Sequence, residues 1–320
     1  MSTMSRVMGT YTLSERSFWG RVPTNTLNKY VTVFGKIFLV FPRILLLGVW
    51  NLLALGLLAI TAVVSTRIFK CMVYCWCRGN LLIFGYWWIA TTGKVQVPQD
   101  GSCIIISNHC GWMEAMYIMA IYSPSYVAKS SIRKIPIIGL IGDKLNNIWI
   151  DRFAKGGGGV TAQIINRMKT GGNIIAIFPE GTTSNGTAIV KFRTGAFVPA
   201  APIVPLICKY RCTLGFDPIF CSLSTKWHIL NSLAQPAHRM SVQFLPVQYP
   251  NEAEKNDPKL YALNCKQMMV TASGLTDTNE EYSDKLEWEK SVGYMNKELA
   301  AQQHKDQELL LQGQVPQNRV

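Results

Sequence analysis

The sequence predicts an α/β domain, with a mixed sheet flanked by helices, joined to an N-terminal hydrophobic membrane segment or hairpin. From about residue 95, short apolar strand patterns alternate with helical patterns, which is typical of a sheet covered on both faces. Ahead of this region, residues 44–66 form one long apolar run. Hydrophobic residues make up 48% of the chain and charged residues only 16%, which excludes disorder for most of it and favours membrane association.

The apolar run is long enough to cross a hydrocarbon core of roughly 30 Å at about 1.5 Å per residue. It begins too deep in the chain, and is too long, for a cleaved signal peptide. A single span and a hairpin that bends near Gly48 or Gly56 both fit, because the positive-inside rule chooses no orientation. The flanks are basic on both sides: Lys29, Lys36 and Arg43 before the run, and Arg67, Lys70 and Arg78 after it.

A second apolar stretch, "LLIFGYWWIA", is too short to span a bilayer and predicts an interfacial anchor at Tyr86, Trp87 and Trp88. The composition then divides the chain into five parts. They are a polar basic segment (1–35), a membrane-anchoring region (36–92), the α/β domain (93–250), a helical extension (251–290) and a flexible tail (291–320).

The elements of the α/β domain follow from short apolar patterns between turn residues. Strands are predicted at "CIIIS" (103–107), "YVAKS" (126–130), "NIWID" (147–151), "NIIAIFP" (173–179) and "PIVPLIC" (202–208). Helices are predicted at "MEAMYIMAIY" (113–122) and "GVTAQIINRMKTG" (159–171), and one helix is predicted over 251–272.

The net charge of +13 is unevenly spread. Residues 1–98 carry ten basic side chains against one acid, residues 99–250 fourteen against six, and residues 251–320 eight against twelve. This favours a surface facing anionic lipid or phosphate over a nucleic-acid partner, for which no groove-reading motif is present. Nine cysteines without metal-ligand spacing predict reduced thiols and no metal; the alternative is palmitoylation of Cys71, Cys75 or Cys77.

Two polar residues, His109 and Glu114, lie where "CIIIS" gives way to a helix, the kind of position at which α/β folds bind ligands. Five residues of regular helix turn through about 140°, so the side chains meet only if His109 precedes the helix. Asn108 and Gly111 permit such a turn. The pair is then either a general base with its orienting carboxylate or a polar cap on the helix.

The segment "FPEGTTSNG" (178–186) places Glu180 directly after a second strand pattern. Gly181 lets backbone amides approach a ligand closely, and three hydroxyls can donate to phosphate oxygens: Thr182, Thr183 and Ser184. Cations for a phosphate are available at Lys191, Arg193, Lys129, Arg133 and Lys134, with a solvated basic face as the alternative. The run "KGGGG" (155–159) lacks the residues of a P-loop and is assigned no chemistry.

Six blocks resemble, in order, those of the glycerolipid acyltransferase superfamily, the PlsC-like enzymes: "NHCGWMEA", "VAKSSIRKIPIIG", "WIDR", "FPEGTTSNG", "KFRTGAF" and "PIVPL". The later "LTDTNEEY" and the segment beginning "FLPVQYPNEAEK" are similar to the region after the core in lysophosphatidylcholine acyltransferases. The resemblance covers roughly residues 36–290. At one position the sequence departs from the family, because Glu114 stands where relatives have aspartate.

The resemblance implies transfer of an acyl group from acyl-CoA, a co-substrate, to a lysophospholipid hydroxyl, with no cofactor. It implies that His109 is the general base and Glu114 its partner. It also implies that five residues hold the lysolipid phosphate: Glu180, Gly181, Thr182, Lys129 and Arg193. The amides after His109 are a candidate oxyanion site, and Cys110 is not expected to act as a nucleophile. Calcium control is not expected.

The leading hypothesis is therefore a membrane-bound acyl-CoA:lysophospholipid O-acyltransferase of the endoplasmic reticulum, with its catalytic domain facing the cytosol. Three alternatives stay open. The acceptor could be lysophosphatidic acid, the reaction could be a CoA-independent transacylation, or the chain could be a non-catalytic lipid-binding protein on the same fold. The departure at Glu114 supports the third alternative.

Overall fold

The computed structural model describes Trp19 and residues 26–99, 101–150, 158–211, 218–220 and 225–291. Predictions for most of the N-terminal segment, for Asp151 and Arg152 of "WIDR", for most of the glycine run and for nearly all of the tail lie outside these residues.

The described residues begin with three helices and continue as strands mixed with helices. The helices are α1 (Thr26–Phe38), α2 (Val40–Val64), α3 (Thr66–Ile83), α4 (Met113–Tyr122), α5 (Pro136–Lys144), α6 (Gly158–Lys169), α7 (Thr225–Leu233), α8 (Glu252–Asn256), α9 (Pro258–Ser273) and α10 (Tyr282–Ser291). The strands are β1 (Ile89–Thr92), β2 (Cys103–Ser107), β3 (Ser125–Lys129), β4 (Ile148–Ile150), β5 (Ile174–Ile177), β6 (Ala188–Ile189), β7 (Ile203–Arg211), β8 (Arg239–Phe244) and β9 (Thr276–Asp277).

A seven-stranded sheet lies at the centre, in the order β1-β8-β7-β2-β5-β3-β4. Its neighbouring strands are parallel except for β7 and β8, so the sheet is mixed, as predicted. Strand β2 lies between β5 and β7, with Ile106 opposite Ile177 and Ser107 opposite Leu206. Because the three strands are parallel, the loops that follow β2 and β5 meet at one edge of the sheet.

The sheet is buried between two apolar layers, and the side chains of β2 alternate between them. Ile105 packs in the layer that contains α3 and α4. Ile104 and Ile106 pack in the layer that contains α9. A strand covered on both faces needs an unbroken apolar run, which explains why "CIIIS" shows no polar alternation.

Helices α2 and α3 form an antiparallel hairpin that turns at Ser65, whose side chain caps α3. Asn51, the polar interruption of the apolar run, accepts a hydrogen bond from the Trp76 indole at 2.8 Å. By length and composition α2 can cross a membrane, and only 11% of its most apolar window is buried. The prediction of a bend near Gly48 or Gly56 is wrong, because α2 continues through both glycines.

The aromatic stretch that follows the hairpin divides between core and surface. Tyr86 is only 1% exposed and its ring stacks on His238, with centroids 4.9 Å apart, so its predicted role as an interfacial anchor is wrong. Trp87 and Trp88 are exposed. The edge strand β1 begins at Ile89, inside the stretch predicted as membrane-anchoring, and this strand was missed.

Residues 251–272 contain two helices, α8 and most of α9, where one was predicted. The chain breaks at Asp257, which is extended (φ −129°, ψ 94°) because the following Pro258 disfavours a helical conformation before it. The Asp257 carboxylate then caps α9 by accepting from the amides of Lys259 and Leu260. The Asp-Pro pair in the sequence was the signal for this break.

Candidate active site

His109 lies on the turn after β2, and Glu114 lies in the first turn of α4. The Glu114 side chain curls back, so that its Oε1 is 3.0 Å from His109 Nδ1. The Glu114 side chain is fully buried, whereas the His109 side chain is 23% exposed. The two residues therefore meet in the arrangement that the sequence predicts, with the histidine ring open to a substrate.

Glu114 is held by several donors besides the histidine. Its Oε1 accepts from the amides of Cys110 at 2.8 Å and Gly111 at 2.7 Å. Its Oε2 accepts from the hydroxyl of Tyr210, and the same hydroxyl accepts from the Glu114 amide at 3.0 Å. The carboxylate thus both caps the turn and orients the ring, so the two interpretations of the pair are not exclusive.

These donors set the charge of Glu114. Burial raises the pKa of a carboxyl, but the hydrogen bond and charge of His109, the Tyr210 hydroxyl and the Gly111 amide together lower the pKa of Glu114. An ionised carboxylate only accepts, so His109 Nδ1 carries a proton, and in the neutral imidazole Nε2 is the nitrogen with the free lone pair. Phe178 stacks on the imidazole with centroids 4.0 Å apart, which fixes the plane of the ring.

The loop 178–186, which follows β5, is bonded directly to the His109 turn. The His109 amide donates to Glu180 Oε2 at 3.0 Å, and the Ser184 amide donates to the His109 carbonyl at 2.9 Å. The two segments therefore share one edge of the sheet, as expected from the ends of adjacent parallel strands.

Glu180 is buried against the His109 turn. The residue is 1% exposed, and its Oε2 accepts from the His109 amide at 3.0 Å. Burial, with the nearby charge of Glu114, raises the pKa of Glu180 to about 8. The contact with the amide helps to hold the histidine turn in place, and the predicted role of Glu180 in binding a phosphate stays a prediction.

Gly181 and Arg193 lie together in the loop and fit the predicted anion site. Gly181 has a φ of 67°, which favours glycine. The Arg193 side chain lies directly over it, since a Cβ at Gly181 would be 2.7 Å from Arg193 Nε. The Arg193 amide donates to the Pro179 carbonyl at 2.8 Å, so the exposed guanidinium is kept beside the loop backbone.

The other candidate cations differ in their surroundings. Lys129 is half-buried at the end of β3, the strand next to β5. Lys191 pairs with Glu281 at 3.5 Å, and Arg133 pairs with Asp143 at 3.0 Å. Lys191 and Arg133 are therefore already engaged in ion pairs.

The three amides nearest to the His109 ring are engaged and do not offer an oxyanion site. Those of Cys110 and Gly111 donate to Glu114, and that of His109 donates to Glu180. The Cys110 side chain is fully buried, so its thiol is not presented to a substrate.

Tyr210 and Lys285 were missed from the sequence. Tyr210 lies on β7, which continues beyond its predicted end at Cys208 and so reaches α4. The signal was the continuing strand pattern after Cys208. Lys285, on α10, donates to the 178–186 loop from more than 100 residues away, and no local pattern marks it.

Residues 89–209 match the family model described as Acyltransferase. This range contains His109, Glu114 and the 178–186 loop.

Two relatives show which proteins this chain is similar to. It is 34% identical over 241 residues to lysophospholipid acyltransferase LPEAT1 of Arabidopsis thaliana, covering 65% of this chain and 60% of the relative. It is 29% identical over 213 residues to lysophosphatidylcholine acyltransferase 2 of Homo sapiens, covering 61% of this chain and 37% of the relative. The chain thus spans less than two thirds of the length of either relative.

The fold is shared with a solved structure. The crystal structure of the 1-acyl-sn-glycerophosphate (LPA) acyltransferase PlsC from Thermotoga maritima matches with a TM-score of 0.52 and 17% sequence identity. The match covers 73% of this chain and 97% of PlsC. The predicted fold class is confirmed.

Proposed function

We propose that the chain is a membrane-bound acyl-CoA:lysophospholipid O-acyltransferase with His109 as its general base. The observation that carries the proposal is the 3.0 Å contact between His109 Nδ1 and Glu114, which leaves Nε2 free to take a proton. The names of the two relatives, a lysophospholipid and a lysophosphatidylcholine acyltransferase, support a lysophospholipid acceptor.

The reaction follows from the lone pair on Nε2. The lysolipid hydroxyl oxygen attacks the carbonyl carbon of the acyl-CoA thioester while His109 Nε2 takes the hydroxyl proton. Glu114 stabilises the imidazolium that forms. The tetrahedral intermediate collapses, the C–S bond breaks, and the CoA sulfur leaves and takes the proton from Nε2. The products are the new ester and free CoA, and His109 is returned to its starting state without an acyl-enzyme.

The lysolipid phosphate is proposed to bind at the 178–186 loop. Gly181 lets the backbone amides come close to the phosphate, Thr182 provides a hydroxyl, and Arg193 and Lys129 provide the cations. Because this loop is hydrogen-bonded to the His109 turn, a phosphate held there places a glycerol hydroxyl near the imidazole.

The helical hairpin is proposed to keep the domain at the bilayer, where its amphiphilic substrates lie. Most large apolar side chains of α2 are exposed, as expected for a lipid-facing helix. Arg43, near the start of α2, donates to the carbonyls of Leu233 at 2.8 Å and Pro236 at 3.0 Å, which fastens the hairpin to the α/β domain. We place the protein in the endoplasmic reticulum membrane with the domain facing the cytosol.

The proposal is tested by assaying the purified protein with lysolipids of different headgroups, with and without acyl-CoA. We expect esterification of a lysophospholipid that requires acyl-CoA. A strong preference for lysophosphatidic acid would identify a phosphatidic acid synthase, and transfer without acyl-CoA would identify a transacylase. Lipid binding without turnover by any donor, combined with a large gain of activity in Glu114→Asp, would overturn the proposal in favour of a non-catalytic lipid-binding protein.

A further inference from the structure

The ammonium of Lys285 is buried against the 178–186 loop. The residue is only 7% exposed, although it lies on the last described helix. Its Nζ donates to Thr182 Oγ1 at 3.2 Å, to Thr183 Oγ1 at 3.1 Å and to the Thr183 carbonyl at 2.8 Å. Burying a charged group is costly unless its donors are satisfied, so these contacts fix the position of Lys285.

The chemistry of an ammonium decides how the two threonine hydroxyls are oriented. Lys285 can only donate, so each threonine oxygen accepts from it through a lone pair. A hydroxyl has one hydrogen, which must then point away from Lys285. Thr182 and Thr183 are therefore held as hydrogen-bond donors towards any ligand that approaches the loop from the other side. A phosphate has only acceptor oxygens at neutral pH and is the matching ligand.

The segment that carries Lys285 is fastened across the loop by separate contacts. Strand β9 pairs in parallel with β6, just after the loop. The Lys191 amide donates to the Glu280 carbonyl at 3.0 Å, and Lys266 pairs with Asp277 at 2.5 Å. The indole of Trp19 lies 5.8 Å from the Lys285 ammonium. Lys285 is thus positioned by the fold and does not depend on a ligand to bring it in.

We propose that Lys285 makes the 178–186 loop an anion site, by orienting the hydroxyls of Thr182 and Thr183 as donors and by adding a positive charge behind them. Lys285 is a positioning residue, because it acts through the threonines. The ligand class is a phosphate ester of a lysolipid, and this identity rests on the proposed function.

The test compares the binding of two probes that differ in the phosphate. The first probe is a deoxy analogue of lysophosphatidic acid, which keeps the phosphate but has no hydroxyl to acylate, and the second is a monoacylglycerol, which has no phosphate. Both are presented in the same detergent micelles. The variant is Lys285→Met, which keeps the apolar stem, and the control is Lys290→Met on the same helix, where the lysine is exposed.

We expect Lys285→Met to weaken binding of the phosphate probe about tenfold, to leave binding of the monoacylglycerol unchanged, and to raise the lysolipid KM with little change in kcat. Lys290→Met should bind both probes as the wild type does. Should Lys285→Met fail to fold, Thr182→Val takes its place, because it removes one hydroxyl at similar volume. We expect Thr182→Val to weaken binding of the phosphate probe and to leave binding of the monoacylglycerol unchanged.

Two outcomes overturn the inference: equal binding of the phosphate probe by wild type and variant, or equal weakening of both probes. The binding measurement also separates this inference from the proposed function. Lys285-dependent binding of the phosphate probe by a protein that acylates no lysolipid would preserve the anion site and refute the acyltransferase. Turnover by a protein whose binding of the phosphate probe does not depend on Lys285 would preserve the acyltransferase and refute the role of Lys285.

Discussion

The His109 turn and the 178–186 loop lie at the same sheet edge but are held in different ways. In the turn, the carboxylate of Glu114 accepts from three residues no more than five positions away and from one distant residue, Tyr210. In the loop, the side chains that complete the site come from elsewhere: Arg193 lies over Gly181, and Lys285 arrives from α10.

This difference suggests that the His109 turn serves the chemical step and that the 178–186 loop serves substrate binding. His109 and Glu114 are close in sequence and acquire their geometry from one short turn, so their contact depends little on the C-terminal segment. The loop acquires its charge and its donor groups only when distant segments have packed. Changes in the turn should therefore act on kcat, whereas changes around the loop should act on the lysolipid KM.

The largest effect is expected from His109→Ala. Loss of general-base catalysis lowers rates by about 10²–10⁴-fold, so kcat should fall by about three orders of magnitude with the lysolipid KM nearly unchanged. Steady-state kinetics with varied lysolipid at saturating acyl-CoA measures both constants. An unchanged circular dichroism spectrum is the control for folding. Turnover within tenfold of the wild type would remove His109 from the mechanism.

Tyr210→Phe tests the one distant contact of the turn. Without this hydroxyl, Glu114 Oε2 loses a donor that lowers its pKa, so the pKa of Glu114 should rise. We expect kcat to fall about tenfold and the acid limb of its pH profile to move to higher pH, because Glu114 must be ionised to orient His109.

The matched control for this change is Tyr261→Phe, on the opposite face of the sheet. The Tyr261 hydroxyl donates to the carbonyls of Ala201 and Gln248, so its loss should lower stability and leave the pH profile of kcat in place. The same shift in both variants would show that Tyr210 acts only through general stability.

The same difference explains what could be predicted from the sequence. The contact of His109 with Glu114 was predictable because a short turn with Asn108 and Gly111 left one way for the side chains to meet. The common sheet edge was predictable because parallel strands align their carboxyl ends. The continuing strand pattern after Cys208 could have placed Tyr210 on β7, but its contact with Glu114 and the contacts of Lys285 depend on how distant elements pack.

The contact of the Glu180 carboxyl with the His109 amide could not be predicted, for a different reason. Its position after β5 was correctly predicted, but whether its carboxyl faces solvent or the backbone of His109 is decided by side-chain packing. The edge strand β1 was missed because its residues continue an aromatic stretch that resembles a membrane anchor. In both cases the local sequence pattern was present, and the packing around it decided which structure and contacts its residues have.

Gly181→Ala tests whether the loop acts on binding alone. A side chain at a φ of 67° costs about 1–2 kcal/mol, and the added Cβ would displace the Arg193 guanidinium. We expect the lysolipid KM to rise about fivefold with kcat within twofold of the wild type. Gly171→Ala is the matched control, because Gly171 has a φ of 75° and an added Cβ there meets nothing within 4 Å. A fall in kcat specific to Gly181→Ala would contradict the division between turn and loop.

The smallest effect is expected from Glu180→Gln, which should change the pH dependence of stability with little effect on rate. Burial raises the pKa of Glu180 from 4.5 to about 8 in the folded protein. Below about pH 4.5 the carboxyl is protonated in both states, and above about pH 8 it is ionised in both, so stability is flat in each range. Between these values only the unfolded chain ionises, so the free energy of unfolding falls as pH rises.

Glutamine keeps the carbonyl that accepts from the His109 amide but does not titrate, so the variant should lose this fall in stability. Thermal unfolding of both proteins in the same detergent at pH 5, 6, 7 and 8 measures the difference. We expect Glu180→Gln to gain stability over the wild type steadily across this range, with kcat at pH 7 within about twofold. Parallel curves for the two proteins would mean that Glu180 is already ionised in the fold. The carboxyl would then place a second negative charge beside Glu114, and the loop and the turn would be coupled through electrostatics as well as through hydrogen bonds.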